Sequence, residues 1–149
     1  MSDVPIPDET AELAGRLRLS VTRLARQLRQ TADSDLSPTQ ASVLATVSKA
    51  GPLALGELAE LERVASPTIT KVIALLHEKG LVHKVTDPDD RRFVRVSLTP
   101  EGEALLERTR ARKTAWLARQ LQDLSPAELD QLAAATDVLE RLTSRRTSR

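Results

Sequence analysis

Apolar residues recur at helical spacing through most of the chain. Leu13, Leu17, Val21, Leu24 and Leu28 are four, four, three and four residues apart, which predicts one stripe on a helix from about Glu9 to Ala32. Arg16, Arg18, Arg23, Arg26 and Arg29 fall on its other faces, and residues 1–8 read as a loose arm before it. "DSDLSPTQ" breaks this helix and starts another, with Ser37 as cap and Pro38 in the first position. The second helix is expected to reach about Lys49 and to bury Val43, Leu44 and Val47, and "AGP" at 50–52 is a turn. A short helix spans Leu55 to Glu62, with Leu55, Leu58, Ala59 and Leu61. After a brief link comes "SPTITKVIALLHEKG", Ser66 to Gly80. Ser66 reads as its cap, Pro67 fits the first turn, and Gly80 suits the left-handed residue just past the end. Ile69, Val72, Ile73 and Leu76 make its inner stripe. Two short helices joined in this way predict a helix-turn-helix.

Past Gly80 the period changes. Val94, Val96 and Leu98 alternate with Arg95 and Ser97, which predicts a strand, and Leu81 to Thr86 is its expected partner. "DPDD" between them is turn chemistry. Thr99 and Pro100 open a long helix to about Gln122, through Leu105, Leu106, Trp116, Leu117 and Leu121. Ser125 and Pro126 open the last one, with Leu129, Leu132, Ala133, Leu139 and Leu142, before the basic end "SRRTSR". The expected fold is mainly α with a small β-hairpin wing. It is one domain over 1–149, with a winged helix-turn-helix lobe at about 37–100 and long flanking helices at about 9–33 and 103–143.

Composition narrows the function. The 149 residues suffice for one domain with a real core. Net charge is +1, so any nucleic-acid surface must be local. There are no cysteines, which excludes a disulfide framework and a thiol switch and fits a reducing, cytoplasmic location. The longest apolar run, Val72 to Leu76, is far short of the roughly 20 residues of a membrane span. The start "MSDVPIPDET" is acidic and does not read as a signal peptide. Aromatics are 1%, essentially Phe93 and Trp116, too few for a single-strand stacking platform. His77 and His83 show neither metal spacing nor a nucleophile partner, Ser66 has no nearby base, and no phosphate loop or GxSxG motif is present. An enzyme, a metal site and a cofactor are not expected.

The outer face of the Ser66–Gly80 helix carries Pro67, Lys71, Ala74 and Glu78, flanked by Thr68 and Thr70. Small side chains allow close approach to a major groove, where a helix presents its N-terminal residues to base edges. Lys71 can donate to a guanine or a phosphate, the threonines can meet thymine methyls, and Ser66 with the free N–H groups suits a phosphate oxygen. A solvated helix face would show the same pattern. In the turn, Arg91 and Arg92 could reach a minor groove, with Asp90 holding Arg92 extended by a charge-assisted bond. From Arg63 to Arg95, seven cations against four anions leave +3. The apolar stripes of the first and last helices exceed what a small winged domain covers, which points to a dimer through Leu13, Leu17, Leu24, Leu132 and Leu139.

"LGELAELERVASPTITKVIALLHEKGLV" from Leu55, followed by "DPDDRRFVRVSLTPEG" to Gly102, resembles the MarR family of bacterial transcription regulators, named for multiple antibiotic resistance. The second stretch holds the family's Asp-x-Arg and Leu-Thr pattern in Asp90, Arg92, Leu98 and Thr99, with Gly102 close behind. Arg63 and Glu62 depart from it, standing where glycine and leucine are common. The resemblance implies a winged helix-turn-helix homodimer on double-stranded DNA, a ligand-responsive repressor at a pseudo-palindromic operator. It implies contacts from Ser66, Pro67, Thr68, Thr70 and Lys71 and from the wing residues Asp90, Arg91 and Arg92. It also implies a cleft for a small anionic aromatic effector, for which Arg16, Arg18 and Trp116 are candidate lining residues. The alternative is a winged-helix adaptor that binds protein and not DNA, which should carry large apolar residues where Thr68, Thr70 and Lys71 stand.

Overall fold

The computed structural model describes residues 7–32 and 35–144. In order it contains α1 (Asp8–Thr31), α2 (Pro38–Ala50), β1 (Leu53–Ala54), α3 (Leu55–Glu62), α4 (Ser66–Glu78), β2 (Val82–Thr86), β3 (Val94–Leu98), α5 (Pro100–Leu121) and α6 (Pro126–Ser144). The chain divides into two compact units within α5, between Lys113 and Thr114.

In the first unit the helix-turn-helix and the sheet share one core. Val43, Leu44 and Val47 of α2 meet Leu58 and Ala59 of α3, Ile69, Val72, Ile73 and Leu76 of α4, and Leu81, Val82, Val96 and Leu106. Three strands form the sheet in the antiparallel order β1-β3-β2. Val82 faces Leu98 and Thr86 faces Val94 across the hairpin, while Leu53 pairs with Val96 on the other side of β3. The strand β1 is two residues long and lies just past the 50–52 turn, too short to show an alternating pattern.

Ser37 caps α2, as expected of a serine just before Pro38. Its Oγ accepts from Gln40 N–H at 3.2 Å and Gln40 Oε1 accepts from Ser37 N–H at 3.0 Å, a reciprocal capping box. At α4 the expectation is corrected by one residue. Ala65 is the cap and Ser66 is the first helical residue, with no side-chain cap bond. The Ala65 carbonyl accepts from both Thr68 and Ile69 N–H, and Pro67, lacking a donor, is tolerated within the first turn. Gly80 ends the helix with φ 71°.

The junction of α4, the wing and α5 is tightly made. Thr99 Oγ1 donates to the Gly80 carbonyl at 2.6 Å and accepts from Gly102 N–H at 3.0 Å. Thr99 N–H reaches the Leu81 carbonyl at 3.1 Å. A Cβ on Gly102 would lie 2.2 Å from that same carbonyl oxygen, so only glycine lets the first turn of α5 approach this closely.

α1 contains no buried residue, and Leu13, Leu17, Leu19, Val21 and Leu24 are exposed on it. In the second unit Ser125 and Glu128 form a capping box at the start of α6. That helix also buries nothing; Leu129, Leu132, Val138 and Leu142 are exposed and Leu139 is half-buried. Among the described residues no helix is long and apolar enough to cross a membrane.

Candidate nucleic-acid interface

The amphipathic design of α4 separates two tasks. Ile69, Val72, Ile73 and Leu76 are 8% exposed or less and fix the helix to the core. Ser66, Pro67, Thr68, Thr70 and Lys71 are all exposed, together at the N-terminal end. Thr70 Oγ1 donates to the Ser66 carbonyl at 3.0 Å, which leaves its methyl group and an oxygen lone pair for an outside partner. No large apolar side chain stands among these five residues.

The wing is organised by two carboxylates. Asp87, 8% exposed at the end of β2, accepts from Asp89 N–H at 2.8 Å and Asp90 N–H at 3.3 Å through Oδ1. Its Oδ2 accepts from Arg95 Nε at 2.7 Å. One side chain thus closes the turn and ties it to β3. Backbone bonds from Asp87 N–H to the Phe93 carbonyl and from Phe93 N–H to the Asp90 carbonyl complete the loop. Asp90 then takes Arg92 in a two-pronged grip: Arg92 Nε to Oδ1 at 3.0 Å and a terminal guanidinium nitrogen to Oδ2 at 2.8 Å. Arg92 N–H also reaches Oδ1 at 3.0 Å. The Arg92 side chain remains 85% exposed, and Arg91 beside it is exposed as well.

These contacts set the charge states. The Arg95 guanidinium, followed by the Asp89 amide, holds the Asp87 carboxyl below its ordinary value. Arg92, through its side chain and then its amide, does the same to Asp90. Two of the three turn aspartates are therefore committed, as anions, to arginines and amides of the turn. The holding role of Asp90 is expected from the sequence; the one Asp87 plays is not. The signal for it is the placement of an aspartate before Pro88 at one end of the turn and an arginine on the returning strand. Its recognition requires the hairpin register, in which Arg95 stands opposite Val85.

The remaining candidates lie elsewhere. Arg16 and Arg18 are exposed on α1, and Trp116 is half-buried in the second unit. A cavity of about 450 Å³ opens in the first unit, and its lining includes apolar Ala32, Leu36, Ala41 and Ala45 together with Arg29 and Lys113. Arg16 and Arg18 are not part of that lining. His77 Nδ1 lies 3.1 Å from the Val82 carbonyl and His83 is exposed on β2. Among the described residues no group of three or more His, Asp or Glu could hold a metal ion.

A model of the MarR family matches residues 36–94, which spans α2 through the start of β3. The HTH-type transcriptional regulator Mb0904 of Mycobacterium bovis is 40% identical over 133 residues, 89% of this chain and 93% of its own length. The chain belongs to the MarR family. Solved structures agree with this membership. A crystal structure from Pseudomonas aeruginosa superposes with a TM-score of 0.84 at 35% identity, covering 93% of this chain and 98% of that one. A MarR family protein from Bacillus stearothermophilus superposes with a TM-score of 0.79 at 25% identity, over 95% and 99% of the two chains. As a MarR-family transcription regulator the protein is a DNA-binding regulator and not an enzyme. In this member the α3–α4 turn is made without glycine. Arg63 takes φ 55° and ψ 42°, its N–H bonds the Glu60 carbonyl, and Val64 N–H bonds the Ala59 carbonyl. That is a Schellman closure built on an arginine.

Proposed function

We propose that this regulator reads a specific double-stranded DNA sequence as a homodimer, with α4 in the major groove and the wing at the adjacent minor groove. The observation that carries the reading is the two-sided α4: a buried apolar stripe behind, and Ser66, Pro67, Thr68, Thr70 and Lys71 exposed in front. Small side chains and one cation at a helix start suit base edges and phosphates. In the wing, Asp90 orients Arg92 toward the narrow groove, where negative potential is focused, and Arg91 adds a second cation. The leucines of α1 and α6, exposed at Leu13, Leu17, Leu24 and Leu132 and half-buried at Leu139, support pairing of two copies through these five as central contacts. A two-fold dimer presents two copies of α4 and so reads a pseudo-palindrome with half-sites about one helical turn apart. A dimer seated over a promoter excludes polymerase, which makes repression in the cytoplasm the mode of action.

The effector is a small anionic aromatic compound. The cavity whose lining joins Arg29 and Lys113 to apolar side chains has the chemistry to hold it, and the other candidates are Arg16 and Arg18 on α1 and, separately, Trp116 on α5. Loss of benzoate binding in Arg29→Ala and Lys113→Ala assigns the cavity; loss in Arg16→Ala, Arg18→Ala or Trp116→Ala assigns the other set. The test of the central reading is selection of duplexes from a randomised pool by the wild-type protein. A recovered inverted repeat supports it. Recovery of no sequence, with equal weak binding to all duplexes, favours the protein-binding adaptor.

A further inference from the structure

Among the described residues Arg63 is the non-glycine residue with positive φ. A side chain disfavours that conformation, which persists only where the surroundings over-determine it. Two anchors bracket it. After Arg63, Val64 is half-buried against the core. Before it, Glu62 ends α3 with its carboxylate turned onto α2. Ser42 Oγ donates to Glu62 Oε2 at 2.8 Å, and Thr46 Oγ1 donates to Glu62 Oε1. Ser42 and Thr46 are four residues apart, so both hydroxyls stand on one face of α2 and converge on the two carboxylate oxygens. None of these three residues is on the outer face of α4 or in the wing.

We propose that Glu62 is a positioning residue for the DNA-reading helix. Through Ser42 and Thr46 it ties the last residue of α3 to α2 and fixes the direction in which Arg63 launches α4. This rests on α4 reading DNA, as proposed above. Ser42 is also among the residues that line the 450 Å³ cavity.

The test compares variants that leave the DNA face untouched. Thr46→Val keeps shape and loses the donor, Thr46→Ser keeps the donor, and Ser42→Ala removes the other hydroxyl. Affinity is measured for the duplex that the wild type selects and for a scrambled duplex, at a temperature where circular dichroism shows every variant folded. The Ser42→Ala/Thr46→Val double variant is expected to bind the selected duplex roughly tenfold more weakly. Its affinity for scrambled DNA stays the same, Thr46→Ser binds as wild type, and adding Glu62→Leu to the double variant causes no further loss. A double variant with a lower thermal midpoint and unchanged affinity for the selected duplex shows a merely structural contact and overturns the inference. If the wild type selects no duplex, the DNA-reading proposal itself fails.

Discussion

Asp90 is a negative charge on the face where DNA is expected, and its carboxylate is closed on Arg92 through two bonds of 3.0 and 2.8 Å. Charge alone predicts that Asp90→Ala tightens DNA binding. The orienting contact predicts the reverse, because an arginine free to rotate loses its preset direction. We expect Arg92→Ala to weaken binding as much as any single substitution, and Asp90→Ala to weaken it in the same direction. Tighter binding by the Asp90→Ala variant, measured by fluorescence anisotropy, would sink the orienting role. The same pairs set a pH limit. Asp87 and Asp90 are held below their ordinary values by Arg95 and Arg92, so their contribution to wing stability is complete above the unfolded value of about 3.9. It disappears as pH falls through the lower folded values. Wing order, followed by amide exchange of residues 87–93, should therefore be constant from about pH 8 to pH 5 and fail only below about pH 4. A transition near neutral pH would assign the wing's order to some other group.

At the scale of elements, the junction of α4 and α5 makes a paired prediction about glycines. Gly102→Ala drives a Cβ to within 2.2 Å of the Leu81 carbonyl oxygen, a backbone atom that cannot step aside cheaply. Destabilisation of about 1–3 kcal/mol is expected. Gly56→Ala in α3 meets nothing within 4 Å and should stabilise by about 0.5–1 kcal/mol. Thermal melts of the two variants check both signs, and a neutral Gly102→Ala would mean the contact relaxes. The elements themselves were largely legible in the sequence. The buried set of α4 follows from its period, and the Ser37 and Ser125 caps from the Ser-Pro pairs they open, although their partners Gln40 and Glu128 are seen only in the structure. The wing follows from its alternation and its turn residues. What escaped depends on register or on distant partners. Ser66 and Ala65 are both compatible with a Pro67 start, and only the accepted backbone bonds decide between them. Asp87 and Arg95 meet across the hairpin, and Glu62 meets Ser42 and Thr46 across 20 and 16 residues of chain. Arg63 shows why a missing glycine is weak evidence against a turn: neighbours on both sides can hold a side-chain-bearing residue at positive φ.

For the whole molecule, α1 and α6 are long helices with apolar residues and no buried side chain in the single chain. Covering one leucine contributes roughly 1.5–3 kcal/mol relative to exposure. Leu17→Glu with Leu139→Glu occurs twice in a two-fold dimer and should yield a monomer by size-exclusion with light scattering. Its affinity for a palindrome should fall far beyond the loss of either contact, because the second half-site is no longer linked. A double variant that stays dimeric and binds normally would contradict that arrangement. The central claim is that the exposed face of α4 reads base sequence, and Lys71 tests it most directly. Lys71 is exposed on a helix whose opposite side is fixed in the core, so Lys71→Ala leaves the fold intact. Anisotropy titrations against the selected duplex and a scrambled one should show a loss of about 1–3 kcal/mol on the first and little on the second. An equal loss on both would make Lys71 a phosphate contact, and no loss on either would remove α4 from the interface and contradict the account.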